Sequence, residues 1–160
     1  MSAGNGKRPR LALIASKGTL DNAYPPLILA ATAASLGWEV GIFFTFYGLD
    51  IVHKRKHKKL KVAPLANPAM PVAIPNFIGA LPGMTAAATS MMKGWMKRAN
   101  LPTVPQFLDM ARESGVRLFA CSTTMGVMGV RESDLIPGAD IAGAAAFLDF
   151  AADASVSLFV

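Results

Sequence analysis

The sequence predicts an α/β fold: a three-layer α/β/α sandwich with a mostly parallel sheet of about five strands, plus a Pro/Met-rich helical insertion. Three observations carry this expectation. Short apolar runs rich in β-branched and aromatic residues alternate with Ala/Leu-rich stretches of helical length, the pattern of βαβ units. Glycines close several of the helical stretches. The chain has 160 residues, 52% hydrophobic and 16% charged, enough to bury one sizeable core. Residues 1–160 therefore read as a single domain, with 62–103 inserted within it.

The elements follow in order. Residues 11–16 (LALIAS) are an apolar run after a basic leader and read as a buried, central strand. Residues 17–26 (KGTLDNAYPP) read as a loop, with Pro25 and Pro26 at the first turn of a helix over 27–38 that stops at Gly37. Residues 39–46 (EVGIFFTF) read as the second strand. Strand, helix and strand at this spacing imply a parallel pair joined by a right-handed crossover. The second half repeats the pattern: a helix over 104–114, a strand over 116–121, a helical turn from Ser122, a short strand near Ile141, a helix from Gly143 and a last strand over 155–160.

Residues 62–103 break it. They hold Pro64, Pro68, Pro71, Pro75, Pro82 and Pro102. Within them, Met84, Ala88, Met91, Met92, Trp95 and Met96 recur at helical spacing and give one greasy face, with Lys93 and Lys97 assigned to the other side. No run is apolar and unbroken enough for a spanning helix, and the polar leader MSAGNGKRPR has no apolar signal core. The expected location is cytoplasmic.

The net charge of +6 is local. Lys54, Arg55, Lys56, Lys58, Lys59 and Lys61 lie in HKRKHKKLK, and without them ten basic and ten acidic residues remain. Such a patch meets an acidic partner or an anionic surface, or simply solvates the chain. It lacks interleaved aromatics, so nucleic acid is not an expected partner. His53 and His57 stand at i, i+4, but no cysteine or carboxylate shares their run, and the adjacent cations oppose a metal ion. No metal or other cofactor is expected. Nucleotide-binding glycine motifs are absent.

Cys121 is the one cysteine, in LFACSTTMGVMG. It ends a predicted parallel strand, where open α/β sheets place their sites. Ser122, Thr123 and Thr124 are N-cap residue types, so a helix starting there would turn backbone N–H groups toward the sulfur and favour the thiolate. Gly126 permits close approach, and Met125 and Met128 offer a soft rim. A free cysteine is equally at home as a small buried hydrophobe. Lys17, Gly18, Thr19 and Asp21 follow the first strand, and Tyr47 and Gly48 the second, so they reach the same sheet edge and are candidate lining. Asp21 also suits a helix cap, and Tyr47 plain packing.

Four blocks, SKGTLDNAYPPLILA, GWEVGIFFTFYGL, CSTTMGVMG and PGADIAGAAAFLDFA, in this order and spacing, resemble the DsrE/DsrF/DsrH-like family, in particular its single-cysteine DsrE-like branch often labelled peroxiredoxin-like. The resemblance implies a sulfurtransferase or persulfide carrier with Cys121 as the sulfur-bearing residue. It implies TusA-like sulfur carriers and rhodanese-like sulfurtransferases as partners, and a homo-oligomer. The peroxiredoxin catalytic motif is absent, so the label does not imply a peroxidase. A second reading stays open. Lys54, Arg55, Lys56, Lys58 and Lys59, with Met91, Met92, Trp95 and Met96, would form the partner or peripheral membrane surface of a non-catalytic adaptor whose cysteine is structural. A third is a redox sensor using an intersubunit disulfide.

Overall fold

A computed structural model describes residues 8–63 and 83–160. Strands β1 (Arg10–Ala15), β2 (Glu39–Phe44), β3 (Arg117–Cys121), β4 (Ala139–Ala142) and β5 (Val156–Phe159) form one sheet in the order β4-β3-β2-β1-β5, with every pairing parallel. The helices are α1 (Leu20–Ser35), α2 (Met84–Arg98), α3 (Val104–Glu113), α4 (Ser122–Met128) and α5 (Ala144–Ala152), with 3-10 turns at Phe46–Ile51 and Glu132–Asp134.

Strand parity builds the layers. Leu11, Leu13, Val40, Ile42, Phe44, Leu118 and Ala120 face α1 and α3 in the larger core. Ala12, Phe43, Phe119 and Cys121 face the other way, onto α5. There Phe43 and Phe147 stack at 4.7 Å, and Phe119 meets Phe147 and Phe150 at 5.8 and 5.5 Å. Gly41 makes that packing possible, because a Cβ at this position would collide with the Phe150 and Phe119 rings.

The α/β/α expectation holds, with corrections at the start of α1 and the end of β2. Helix α1 begins at Leu20, so Pro25 and Pro26 lie inside it rather than at its first turn. A proline in a helix interior costs roughly 3 kcal/mol through its missing N–H and its clash with the preceding turn. Burial offsets this: Leu20, Ala23, Tyr24, Leu27 and Ala30 form one continuous apolar face against the sheet. The Leu20 N–H is also held by the Lys61 carbonyl at 2.8 Å. Strand β2 stops at Phe44, two residues short of the expected end. Of the expected insertion, residues 64–82 lie outside the described residues. The rest carries α2, whose Ala88, Met92 and Met96 pack against the larger core.

Candidate functional site

Cys121 occupies the last position of β3 and the N-cap position of α4. It pairs in register with Ala142 and is 6% exposed. Its sulfur lies among donors. The Thr124 and Thr45 hydroxyls and the backbone N–H groups of Thr124 and Thr123 lie near enough to favour its thiolate form. Burial is the largest single influence and pushes the thiol up. These neighbouring donors together outweigh it, so the thiol lies below its ordinary value. Thr45 and Thr124 also meet each other, Oγ1 to Oγ1, at 2.9 Å.

Thr45 is a site residue that sequence reasoning missed. The second strand was expected to run through it to Phe46. Instead the chain turns: the Thr45 N–H donates to the Ala15 carbonyl at 3.0 Å, and Phe46 takes a left-handed φ of 46°. The available signal was a threonine between the phenylalanines of the strand and Gly48. Gly48 admits the β1 end, since a Cβ there would collide with the Ala15 carbonyl, and a Cβ at Gly18 would collide with the Tyr47 carbonyl. The two loops therefore interlock at the sheet edge. Phe46 and Tyr47 remain 60% and 67% exposed there, on the 3-10 turn that packs against β3 and α4.

The other expected lining residues are distributed differently. Lys17, Ser122, Thr123 and Gly126 are exposed, and Thr124 is buried. Met125 is buried in the larger core, and Met128 packs against that core, so neither supplies the expected soft rim around the sulfur. Helical spacing explains this: three residues apart, they share one face of α4, and that face turns inward. Thr19 is the N-cap residue of α1 and accepts from Asn22 Nδ2 at 2.6 Å. Asp21 accepts from the Ala63 N–H at 3.2 Å, which ties the loop before α2 to the start of α1.

The basic run is a folded loop. His53 and His57 are buried within it, against the expectation of a solvated stretch. His53 bridges to Leu135, and its Nδ1 accepts from the Arg55 N–H at 3.2 Å. Burial, then the Lys56 charge, hold His53 below the usual histidine range despite the opposing Asp134 and Asp50. Lys54 donates to the Ser133 carbonyl and Lys56 pairs with Asp50 at 2.7 Å, while Arg55, Lys58 and Lys59 are exposed. On α2, Met91 and Trp95 are partly exposed, whereas Met92 and Met96 reach the core. Among the described residues, no three His, Cys, Asp or Glu side chains cluster as a metal site, and no helix is long and apolar enough to cross a membrane.

Residues 7–159 match the profile of the DsrE/DsrF/DrsH-like family. A protein named sulfur carrier protein DsrE2, from Allochromatium vinosum, is 41% identical over 160 residues, covering 96% of this chain and 99% of that protein. A Bacillus subtilis protein, the uncharacterized protein YrkE, is 34% identical, covering 94% and 96% respectively. The crystal structure of the ychN protein from E. coli superposes with a TM-score of 0.59 over 95% of this chain and 99% of that one, at 11% identity, a likeness of fold.

Proposed function

The chain belongs to the DsrE/DsrF/DrsH-like family, and on that premise we propose that it is a sulfur-trafficking protein that carries sulfane sulfur as a persulfide on Cys121. The observation that carries this reading is the Cys121 environment: a thiol at a parallel-strand end, lowered by two hydroxyls and two backbone N–H groups. A relative named as a sulfur carrier, matched along nearly its whole length, supports the same chemistry.

Transfer needs no external base once the thiolate is present. The Cys121 thiolate attacks the outer sulfur of a donor persulfide. A new S–S bond forms on Cys121, the donor's S–S bond breaks, and its electron pair leaves on the donor thiolate. The acceptor step is the mirror image: a partner thiolate takes the outer sulfur and returns Cys121 as thiolate. The S–S bond of about 2.05 Å extends the cargo beyond the buried thiol, where a partner can reach it. TusA-like carriers and rhodanese-like sulfurtransferases are partners of fitting chemistry. Exposed Phe46 and Tyr47 offer a contact beside the sulfur, and the basic loop steers acidic partners. We place this exchange in the cytoplasm, where a lone thiol stays reduced. A homo-oligomer would cover Leu148 and Phe159, which are 64% and 70% exposed.

Intact-protein mass spectrometry after incubation with polysulfide tests the reading. The expected result is a reductant-sensitive gain of whole sulfur atoms on the native chain and none on Cys121→Ser. An equal gain on the serine variant, or no gain with an alkylation-inert thiol, would contradict it and favour the adaptor reading.

A further inference from the structure

A second site lies away from the thiol. A cavity of about 980 Å³ opens between α2, α3, the first turns of α1 and the basic loop, and Cys121 does not line it. Leu60, Met96, Leu101, Val104 and Met110 give it apolar walls.

Two buried side chains bring polar atoms to these walls. Tyr24, 7% exposed, sets its ring edge-on to Phe107 at 5.9 Å, and its hydroxyl has no hydrogen-bond partner among the described residues. Burial raises its pKa, which keeps it a neutral donor. His57, 8% exposed, meets the His53 carbonyl through Nδ1 at 2.7 Å. A carbonyl only accepts, so the proton sits on Nδ1 and Nε2 is left without a partner among the described residues. No buried side-chain N or O atom among the described residues lacks a partner, so these two unpaired atoms are open to the cavity, where a ligand can reach them.

The charges on the walls select its sign. Lys58 comes from the basic loop, and Lys93 and Lys97 lie one turn apart on α2. None of the three ammonium groups has an ion pair or hydrogen bond among the described residues. Lys93 and Lys97 thus stand beside Met96 on the cavity side, not on the opposite side of α2 as helical spacing alone suggested. Across from them, α3 presents Asp109, already paired with Arg112 at 3.1 Å, and Glu113. Free cations on one wall, carboxylates on the other and an apolar span between them would orient an elongated anion.

We propose that this cavity binds a small amphipathic organic anion, a carboxylate or sulfonate with an apolar body. Its charged end lies at Lys58, Lys93 and Lys97, and its body crosses Leu101, Val104 and Met110. The Tyr24 hydroxyl donates to the anionic end. This site is independent of the sulfur chemistry and is expected to work equally in Cys121→Ser.

Calorimetric titration of the full chain with decanoate tests it. Saturable binding of one decanoate per chain is expected. The double variant Lys93→Ala/Lys97→Ala should bind about tenfold more weakly or worse, since it loses charge-assisted contacts. Tyr24→Phe removes one hydroxyl and nothing else, and should weaken binding by a smaller factor. Both variants are to be checked for an unchanged circular dichroism melt, and Lys93→Ala alone serves if the double variant melts early. Equal affinity in the folded lysine variants, equally tight binding of decyltrimethylammonium, or no heat with folded wild-type chain would each overturn the proposal. So would sedimentation with anionic phosphatidylglycerol vesicles in the absence of decanoate binding, which would make the surface a membrane contact.

Discussion

The two faces of the sheet are built differently. On one face, α1, α2 and α3 spread a wide aliphatic core over the sheet, with Leu13, Leu27, Ile42 and Leu118 fully buried. On the other, α5 is the only helix among the described residues in the buried cluster, and its Phe147 and Phe150 pack with Phe43, Phe119 and Cys121. The thick face carries the bulk of the apolar burial. The thin face holds the sulfur in the cluster with α5, and the donors near it come from the ends of β2 and β3, at the sheet edge. Stability and chemistry are thereby separated by strand parity: in β3, Leu118 and Ala120 point to one face and Phe119 and Cys121 to the other.

That division can be broken from either side. The largest effect is expected for Phe147→Ala, which should cost about 3–5 kcal/mol in urea unfolding and also speed alkylation of Cys121 in the folded state. Leu27→Ala on the thick face should cost about 2–5 kcal/mol but leave the native alkylation rate unchanged. If both variants accelerate alkylation alike, the sulfur is reached through global opening and the two faces are not distinct. Gly41→Ala drives a methyl into the Phe150 ring and should cost about 1–3 kcal/mol by overpacking, a loss absent from Gly94→Ala on α2, where nothing among the described residues lies close.

Smaller effects sharpen the site. Thr124→Val should raise the apparent pKa of the thiol and Thr124→Ser should restore it. Thr45→Val should raise it less, because its hydroxyl contact is the weaker of the two. The pH dependence of stability has a definite sign. A thiol lowered in the folded state adds stability that is complete above its unfolded value of about 8.5. That stability is lost as pH falls through the folded value. The stability gap between native chain and Cys121→Ser should therefore shift in favour of the native chain as pH rises through that window, and a shift in the opposite direction would show that burial wins over the hydrogen bonds.

Much of this architecture was legible because periodicity reports burial. LALIAS, EVGIFF and RLFAC are short apolar runs with little else to become in an α/β chain, and their parallel pairing follows from the helices between them. The start of α1 was not legible, since Pro25 and Pro26 argue locally against a helix interior and only the burial of Leu20, Ala23 and Tyr24 overrides them. Cys121 and Thr124 could be placed from the strand end and the cap-type residues. Thr45 could not, because its contact with Thr124 spans 79 positions of sequence and depends on where β2 stops. Burial of His53 and His57 was hidden by the six cations around them: charge density suggested solvent, while backbone bonds to Asp134 and Val52 fold the loop against the 132–136 segment.

The most direct test of this account is the rate of iodoacetamide alkylation of Cys121 in the folded native chain as a function of pH. The account predicts a titration midpoint below the ordinary cysteine value of about 8.5, moving upward in Thr124→Val. A midpoint at or above that value, unmoved by Thr124→Val, would mean that burial governs the thiol and that Cys121 is a core residue.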